Sequence, residues 1–337
     1  MTVEVIVTKA IHSVLVAATL VGNVLVCLAV LRNKVLQTPV NYLLMNLAIA
    51  DMMIVISFTP RHILERLYHH PRGLVGEILC KTITSDTFTW VGGVASAISL
   101  VVMAYERFAA ITAQFGRLAT FNHRKLRIVV VFCWTAAIIF NVPLFCVRHL
   151  NSERGFCESH WPSVKFALGN NFAWLILIGI VPFSLMTFFY GKVVMHLRRE
   201  VVPRQHLSVP MIKSRKKVTK MLMTVTAIYG ICWIPNLILY VVWYFASEED
   251  VMYTINKVFL VLILVNSCAN PIVYALQSRL FRKHMVNIFC LCKRRFGNRQ
   301  DFCIALKKWE GNTSSSNPKP IRLVQRGDEV RVLKFPS

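Results

Sequence analysis

Charge is scarce in this chain. Only 16% of its 337 residues are Asp, Glu, Lys or Arg, while 55% are hydrophobic; a soluble globular protein carries about 25% charge. Much of the surface therefore need not meet water. Acids are scarcer than bases, 16 against 39, for a net charge of +23. Such an excess points to nucleic acid when the bases form a patch on a folded domain. Here they sit in short loops and tails between apolar runs, so no nucleic-acid partner is expected. Ten cysteines are too few and too scattered for a disulfide framework, and no CxxC pair suggests zinc. No cleavable signal peptide is visible, and the first apolar run is long enough to act as its own insertion signal. GxxxxGK[ST], HExxH and GxSxG are all missing and the ten histidines are dispersed, so no enzyme is expected.

What is present is length of apolar helix. A hydrocarbon core of about 30 Å needs about twenty apolar residues, and seven runs qualify: 11–31, 40–67, 81–110, 126–145, 166–197, 218–245 and 251–276. The alternating ten-residue segments of a membrane barrel are missing. The expected fold is an all-α seven-helix membrane bundle. Residues 1–10 form a short outer N-terminus, 11–277 the bundle, 278–292 an amphipathic helix on the inner leaflet, and 293–337 a disordered cytoplasmic tail. Basic residues mark the inner side. With the N-terminus outside, thirty of the 39 lie within, and the nine that remain outside face nine acids. The C-terminus is then cytoplasmic.

Polar side chains at membrane depth are expensive and default to function. Asn23, Asp51, Ser96, Asn266, Ser267 and Asn270 fall inside the runs. Each alone reads equally as a hydrogen bond between helices, worth about 1 kcal/mol. Asp51 is different, because a lone buried carboxylate demands a partner, a proton or a cation. Pro60, Pro143, Pro182, Pro235 and Pro271 each remove a backbone donor inside a run, which creates hinges.

Taken in order, the runs carry Gly22-Asn23-Val24, then Asn46-Leu47-Ala48-Ile49-Ala50-Asp51, then Glu106-Arg107-Phe108 and Trp134. Pro182 with Tyr190, Cys232-Trp233-Ile234-Pro235 and Asn270-Pro271-Ile272-Val273-Tyr274 follow. This succession resembles the rhodopsin-like (class A) G-protein-coupled receptors over roughly residues 11 to 292, and the sixth run is most similar to the neuropeptide-receptor branch. The resemblance implies a plasma-membrane receptor that activates heterotrimeric G proteins by outward movement of the sixth helix. It implies a sodium pocket at Asn23, Asp51, Ser96, Asn266, Ser267 and Asn270, with Na+ as an allosteric ion and no other cofactor. Glu106, Arg107 and Phe108 would couple to the G protein, and Trp233, Pro235, Tyr190, Pro271 and Tyr274 would form the activation switch. It further implies a Cys80–Cys157 disulfide, lipidation at Cys290 and Cys292, and arrestin and receptor kinase at the tail. Cys146 lies on the same outer side and competes for the disulfide. Cys80 stands 27 residues before Arg107, two more than the family's usual spacing, so an irregular helix top is expected there. Arg215 occupies a position where some members carry an acid facing Arg107, and Ala97 and Tyr229 are atypical below the pocket.

The ligand is read from the outer mouth. Leu264 stands where opsins carry their retinal lysine, and Thr89 where amine receptors carry an aspartate. Arg61, Glu65, Asp86, Thr89, Glu158, Asn236, Tyr240 and Leu264 are the candidate ligand contacts. A short neuropeptide is expected, its positive group meeting Asp86 while Arg61 pairs with Glu65. Amine or lipid receptors of the same fold remain as alternatives, as does an ion-coupled secondary transporter. The motifs do not repeat between halves, as a transporter's inverted repeats would.

Overall fold

The computed structural model describes residues 3–71, 73–112, 122–151, 155–199, 209–246, 249–296, 324–326 and 329–331. Among them are seven helices long and apolar enough to cross a membrane. Helix α1 (Val3–Arg32) leads through a 3-10 turn (Lys34–Leu36) into α2 (Pro39–His62). Thr38 caps α2, accepting from the Asn41 backbone N–H at 3.4 Å, and Pro39 occupies its first turn, where no N–H is needed. The third span is composite, built from α3 (Leu74–Leu79), a π turn (Cys80–Thr84) and α4 (Thr87–Thr112). After α5 (His123–Val147), strands β1 (Arg148–Asn151) and β2 (Phe156–Ser159) pair antiparallel, with Leu150 opposite Cys157. The fifth span joins α6 (Val164–Trp174) through a π turn (Leu175–Ile180) to α7 (Val181–Arg199). Helices α8 (Val209–Val242) and α9 (Glu249–Gln277) complete the bundle, and α10 (Arg279–Phe296) follows.

Several boundaries differ from the sequence reading. Residues 3–10, expected within a short outer N-terminus, already belong to α1, and the third span begins at Leu74 rather than residue 81. The amphipathic helix runs on to Phe296. Of the tail expected to be disordered, two short strands, β3 (Val324–Arg326) and β4 (Glu329–Arg331), pair antiparallel, and most of the rest lies outside the described residues. The irregular helix top anticipated from the spacing of Cys80 is the π turn, followed by Asp86 at φ 61°. Aspartate is one of the few side chains that tolerate that left-handed backbone.

The prolines explain two long-range ties. Proline lacks an N–H and leaves the carbonyl four residues earlier without its helical donor. For Pro182 that carbonyl is Ile178, and the Tyr229 hydroxyl donates to it at 2.6 Å. For Pro271 it is Ser267, and Asn23 Nδ2 donates there at 3.2 Å. Side chains from α8 and α1 thus replace the missing backbone donors. Elsewhere Asn46 joins three helices: its Nδ2 donates to Ser99 at 2.8 Å, and its Oδ1 accepts from Trp134 Nε1 at 3.0 Å.

Helix α4 lies close against α2. A Cβ on Gly92 would stand 2.7 Å from Ile54 Cγ1 and 2.9 Å from the Ala50 carbonyl oxygen, so α2 and α4 meet backbone to side chain there. Such small-residue contacts let membrane helices approach closely. Gly92→Ala should lower the thermal unfolding midpoint of the purified protein by several degrees, since overpacking costs about 1–3 kcal/mol. Gly169→Ala, where a Cβ would meet nothing within 4 Å, should leave the midpoint unchanged. Equal midpoints for the two variants would refute the close approach.

Candidate functional site

Two buried layers and one open cavity hold most of the candidate residues. The first layer surrounds Asp51, which is fully buried on α2. Asn270 Nδ2 donates to its Oδ2 at 2.7 Å. Its other oxygen has no protein partner, and neither do Ser96 Oγ, Asn270 Oδ1 and Asn23 Oδ1. Ser96 lies one turn along α4 from Gly92, which meets α2 at Ala50 and Ile54. Asn23 and Ser267 are joined through the carbonyl that Pro271 frees. Asn266 presents an unpartnered Nδ2, a donor rather than a ligand atom. Orphaned oxygens on one carboxylate, a hydroxyl and amides are the donor set that a hard cation takes, so the residues present fit Na+.

The second layer lies at the far end of the bundle. Arg107 is held by its neighbour Glu106 through Nε to Oε2 at 2.6 Å and Nη2 to Oε1 at 2.9 Å. Phe108 packs its ring 5.5 Å from Phe189. Tyr190 and Tyr274 are buried with unpartnered hydroxyls, and neither bonds Arg107. The side chains of Arg215, Cys290 and Cys292 lie outside the described residues.

The cavity opens at the other end, beside the disulfide. Cys80 and Cys157 are joined and pin β2 to the π turn, while Cys146 is a free, exposed thiol. The cavity measures about 760 Å³, within the range of about 300–1,000 Å³ that ligand sites occupy. Arg61, Glu65, Asp86 and Tyr240 line it as expected. Glu158 faces a smaller adjoining cavity instead. Thr89, Asn236 and Leu264 line neither: all three are buried, and Thr89 donates to the Ile54 carbonyl at 3.1 Å, tying α4 to α2.

The role expected of Asp86 is also corrected. It was to stand alone for a cationic ligand; instead Arg148 Nη2 donates to its Oδ1 at 3.1 Å, and His62 Nε2 lies 3.2 Å from its Oδ2. Arg61 donates to the Cys157 carbonyl at 3.4 Å rather than pairing with Glu65.

Three contributors escaped the sequence reading. His12 is a polar residue inside an apolar run, the same signal that marks Asn23, and it lines the cavity against Phe58 at 5.0 Å. Arg148 follows the last apolar residue of α5 and looks like one more loop base. Trp90 stands in the cavity wall with its ring 5.4 Å from Tyr240, 5.3 Å from Trp174 and 6.3 Å from Trp233. Trp233 in turn stacks on Tyr229 at 6.1 Å, and a Cβ on Gly93 would stand 2.4 Å from its Cη2. A continuous aromatic path therefore leads from the cavity to the Ile178 carbonyl that Pro182 frees.

The sequence profile described as 7 transmembrane receptor (rhodopsin family) matches residues 22–274. The chain belongs to that family. Among the similar proteins, neuromedin-U receptor 2 of Mus musculus is 28% identical over 297 residues, covering 82% of this chain and 74% of that protein. Somatostatin receptor type 4 of Rattus norvegicus is 26% identical over 292 residues, covering 84% and 72%. Galanin receptor 2a of Danio rerio is 26% identical over 303 residues, covering 88% and 82%. This receptor is thus a multi-pass membrane protein of the class A G-protein-coupled family, and not an enzyme.

Breaking a buried ion pair by removing one partner costs about 3–5 kcal/mol, because the other charge is left uncompensated. Asp86→Asn in this receptor should therefore lower the unfolding midpoint well beyond Glu65→Gln, which alters an exposed rim residue. Thermal unfolding of both variants in the same detergent checks this, and matching midpoints would dismiss the Asp86–Arg148 pair as structural.

Proposed function

We propose that the chain is a peptide-activated receptor of the plasma membrane that signals through heterotrimeric G proteins. The disulfide end faces the oxidising exterior, and the Arg107 end faces the G protein. The observation that carries this reading is the cavity whose wall residue Trp90 touches Trp233. The names of the similar proteins, receptors for neuromedin-U, somatostatin and galanin, favour a peptide. A cavity of this size takes the end of a peptide rather than a folded hormone.

A ligand pressing on Trp90 shifts Trp233, which sits two residues before the Pro235 hinge of α8. Trp233 and Tyr229 share one stack, so the displacement loads the tie between α8 and the fifth span. The inner half of α8 then moves outward, and Arg107 exchanges Glu106 for the partner protein. Tyr190 and Tyr274, whose hydroxyls hold no partner in the present packing, are free to reorganise toward it. This is a population shift between two packings of one bundle. Asp51, Ser96 and Asn270 would hold Na+, which supplies a positive charge to the buried carboxylate. The same reading gives arrestin and a receptor kinase to the tail, and acyl lipid to Cys290 and Cys292.

Receptor reconstituted in lipid with an added G protein should accelerate nucleotide exchange when a peptide agonist is supplied. Arg107→Ala should abolish that acceleration while leaving agonist binding within about threefold of wild type; undiminished exchange would overturn the coupling assignment.

Sodium gives a second, independent measurement. Replacing an organic cation by Na+ at fixed ionic strength should weaken agonist binding several-fold in the wild type and leave Asp51→Asn unaffected. Linkage requires the agonist to weaken sodium binding by the same factor. An identical response in both proteins would remove the ion site.

A further inference from the structure

The cavity beside the disulfide is positively charged, although loop acids and bases balance at that end of the chain. Four cations line it, Lys9, Arg61, Arg148 and Lys257, against two carboxylates, Glu65 and Asp86. Of the acids, Asp86 is already engaged by Arg148 and His62, and Glu65 lies exposed on the rim. Lys257 contacts Glu4 at 2.9 Å, but the Glu4 side chain is 65% exposed and screens little. Lys9 spends one proton on the Ile63 carbonyl at 3.1 Å.

Two buried groups point to a missing acceptor. Arg148 is only 8% exposed, and its Nε–H has no protein partner even though Nη2 is paired. His12 is 4% exposed, and neither of its ring nitrogens is bonded. Buried donors are costly to leave unmade, and buried cations are costlier still unless paired. Asp86 supplies one negative charge to a wall that carries both Arg61 and Arg148.

We propose that this cavity selects its ligand through a carboxylate, seated by Arg61 and Arg148, with His12 offering a further hydrogen bond. The chemistry belongs to a peptide's free C-terminus or to an Asp or Glu side chain within it. This rests on the peptide reading and reverses the sign of the ligand expected from the sequence. Guanidinium groups suit the role, because their planar forks bind carboxylates with two parallel hydrogen bonds.

The test uses full-length receptor in lipid nanodiscs with an added G protein and pools of six-residue peptides. Each pool is made as the free acid, as the C-terminal amide, and with Asp and Glu exchanged for Asn and Gln. Carboxylate-bearing pools should stimulate nucleotide exchange. The most active peptide should lose at least tenfold in potency against Arg61→Gln, which keeps the Arg148–Asp86 pair, and should hold or gain potency against Glu65→Gln. Loss on amidation assigns the carboxylate to the C-terminus, and loss on the Asn/Gln exchange assigns it to a side chain. Activation confined to lysine- and arginine-rich pools overturns this proposal and leaves the peptide reading standing. Glutarate gives a readout independent of any agonist. It should raise the thermal midpoint of the wild type more than glutaramide does, and lose that advantage in Arg61→Gln. No difference between the two probes overturns the anion site whatever the peptides do.

Discussion

A carbonyl released by proline inside an apolar bundle has no water to turn to. In lipid each unsatisfied backbone group costs several kcal/mol, so a donor from a neighbouring helix stabilises a hinge, as it does at Pro182 and Pro271. Tyr229 does so for Ile178, and Asn23 does so for Ser267. Each repair fixes the position of a functional layer. The Asn23 bond sits beside Gly22, whose missing side chain lets the Pro271 ring come within 2.9 Å of where a Cβ would be. That contact sets α9 against α1 and holds Asn270 on Asp51. The Tyr229 bond sets α8 against the π turn and holds the ring on which Trp233 stacks. Two hydrogen bonds thus brace the proline kinks beside Asp51 and Trp233.

Helix α4 joins these layers to the cavity. Its consecutive glycines serve different neighbours: Gly92 admits α2, and Gly93 admits the Trp233 ring. Trp90, one turn nearer the mouth, reaches the same indole from the cavity wall. A side chain at Gly93 would hold Trp233 off α4, so the small residue is needed for that packing. The π turn and left-handed Asp86 at the head of this span take up the two residues beyond the family's usual spacing. They also turn Asp86 toward Arg148 and His62.

What was legible in the sequence follows from cost. Asp51 and Asn270 stand out because a polar group in an apolar run is expensive, and Glu106 and Arg107 through the family resemblance; the structure brings Asp51 to Asn270 and Glu106 to Arg107. The irregular third span was legible from a residue count. Rotational phase was not. Val131, Phe132 and Ile139 on α5 are exposed, while Leu43, Leu44 and Leu47 on α2 are buried. In lipid both faces of a helix are apolar, so hydrophobicity cannot say which one meets the bundle. Hence Thr89, Asn236 and Leu264 were placed in the cavity when they pack beneath it, and Trp90 was passed over. Arg148 was hidden for another reason: a base at the end of a span is read as a topology signal, and only the fold brings it to Asp86.

The proposed carboxylate reverses the sign expected from the sequence because position, rather than number, decides how strongly a charge acts. Nine acids and nine bases lie beyond the bundle at the disulfide end if the N-terminus is outside. Acids such as Glu65 and Glu158 sit on the rim or in the hairpin, where water screens them within about 8 Å at physiological salt. Arg61 and Arg148 reach the lining itself, where the effective dielectric is low and each charge acts several times more strongly. Asp86, the acid placed deepest, is consumed in holding Arg148. A balanced rim can therefore enclose a positive interior, and the interior is what a docked ligand meets after losing its water.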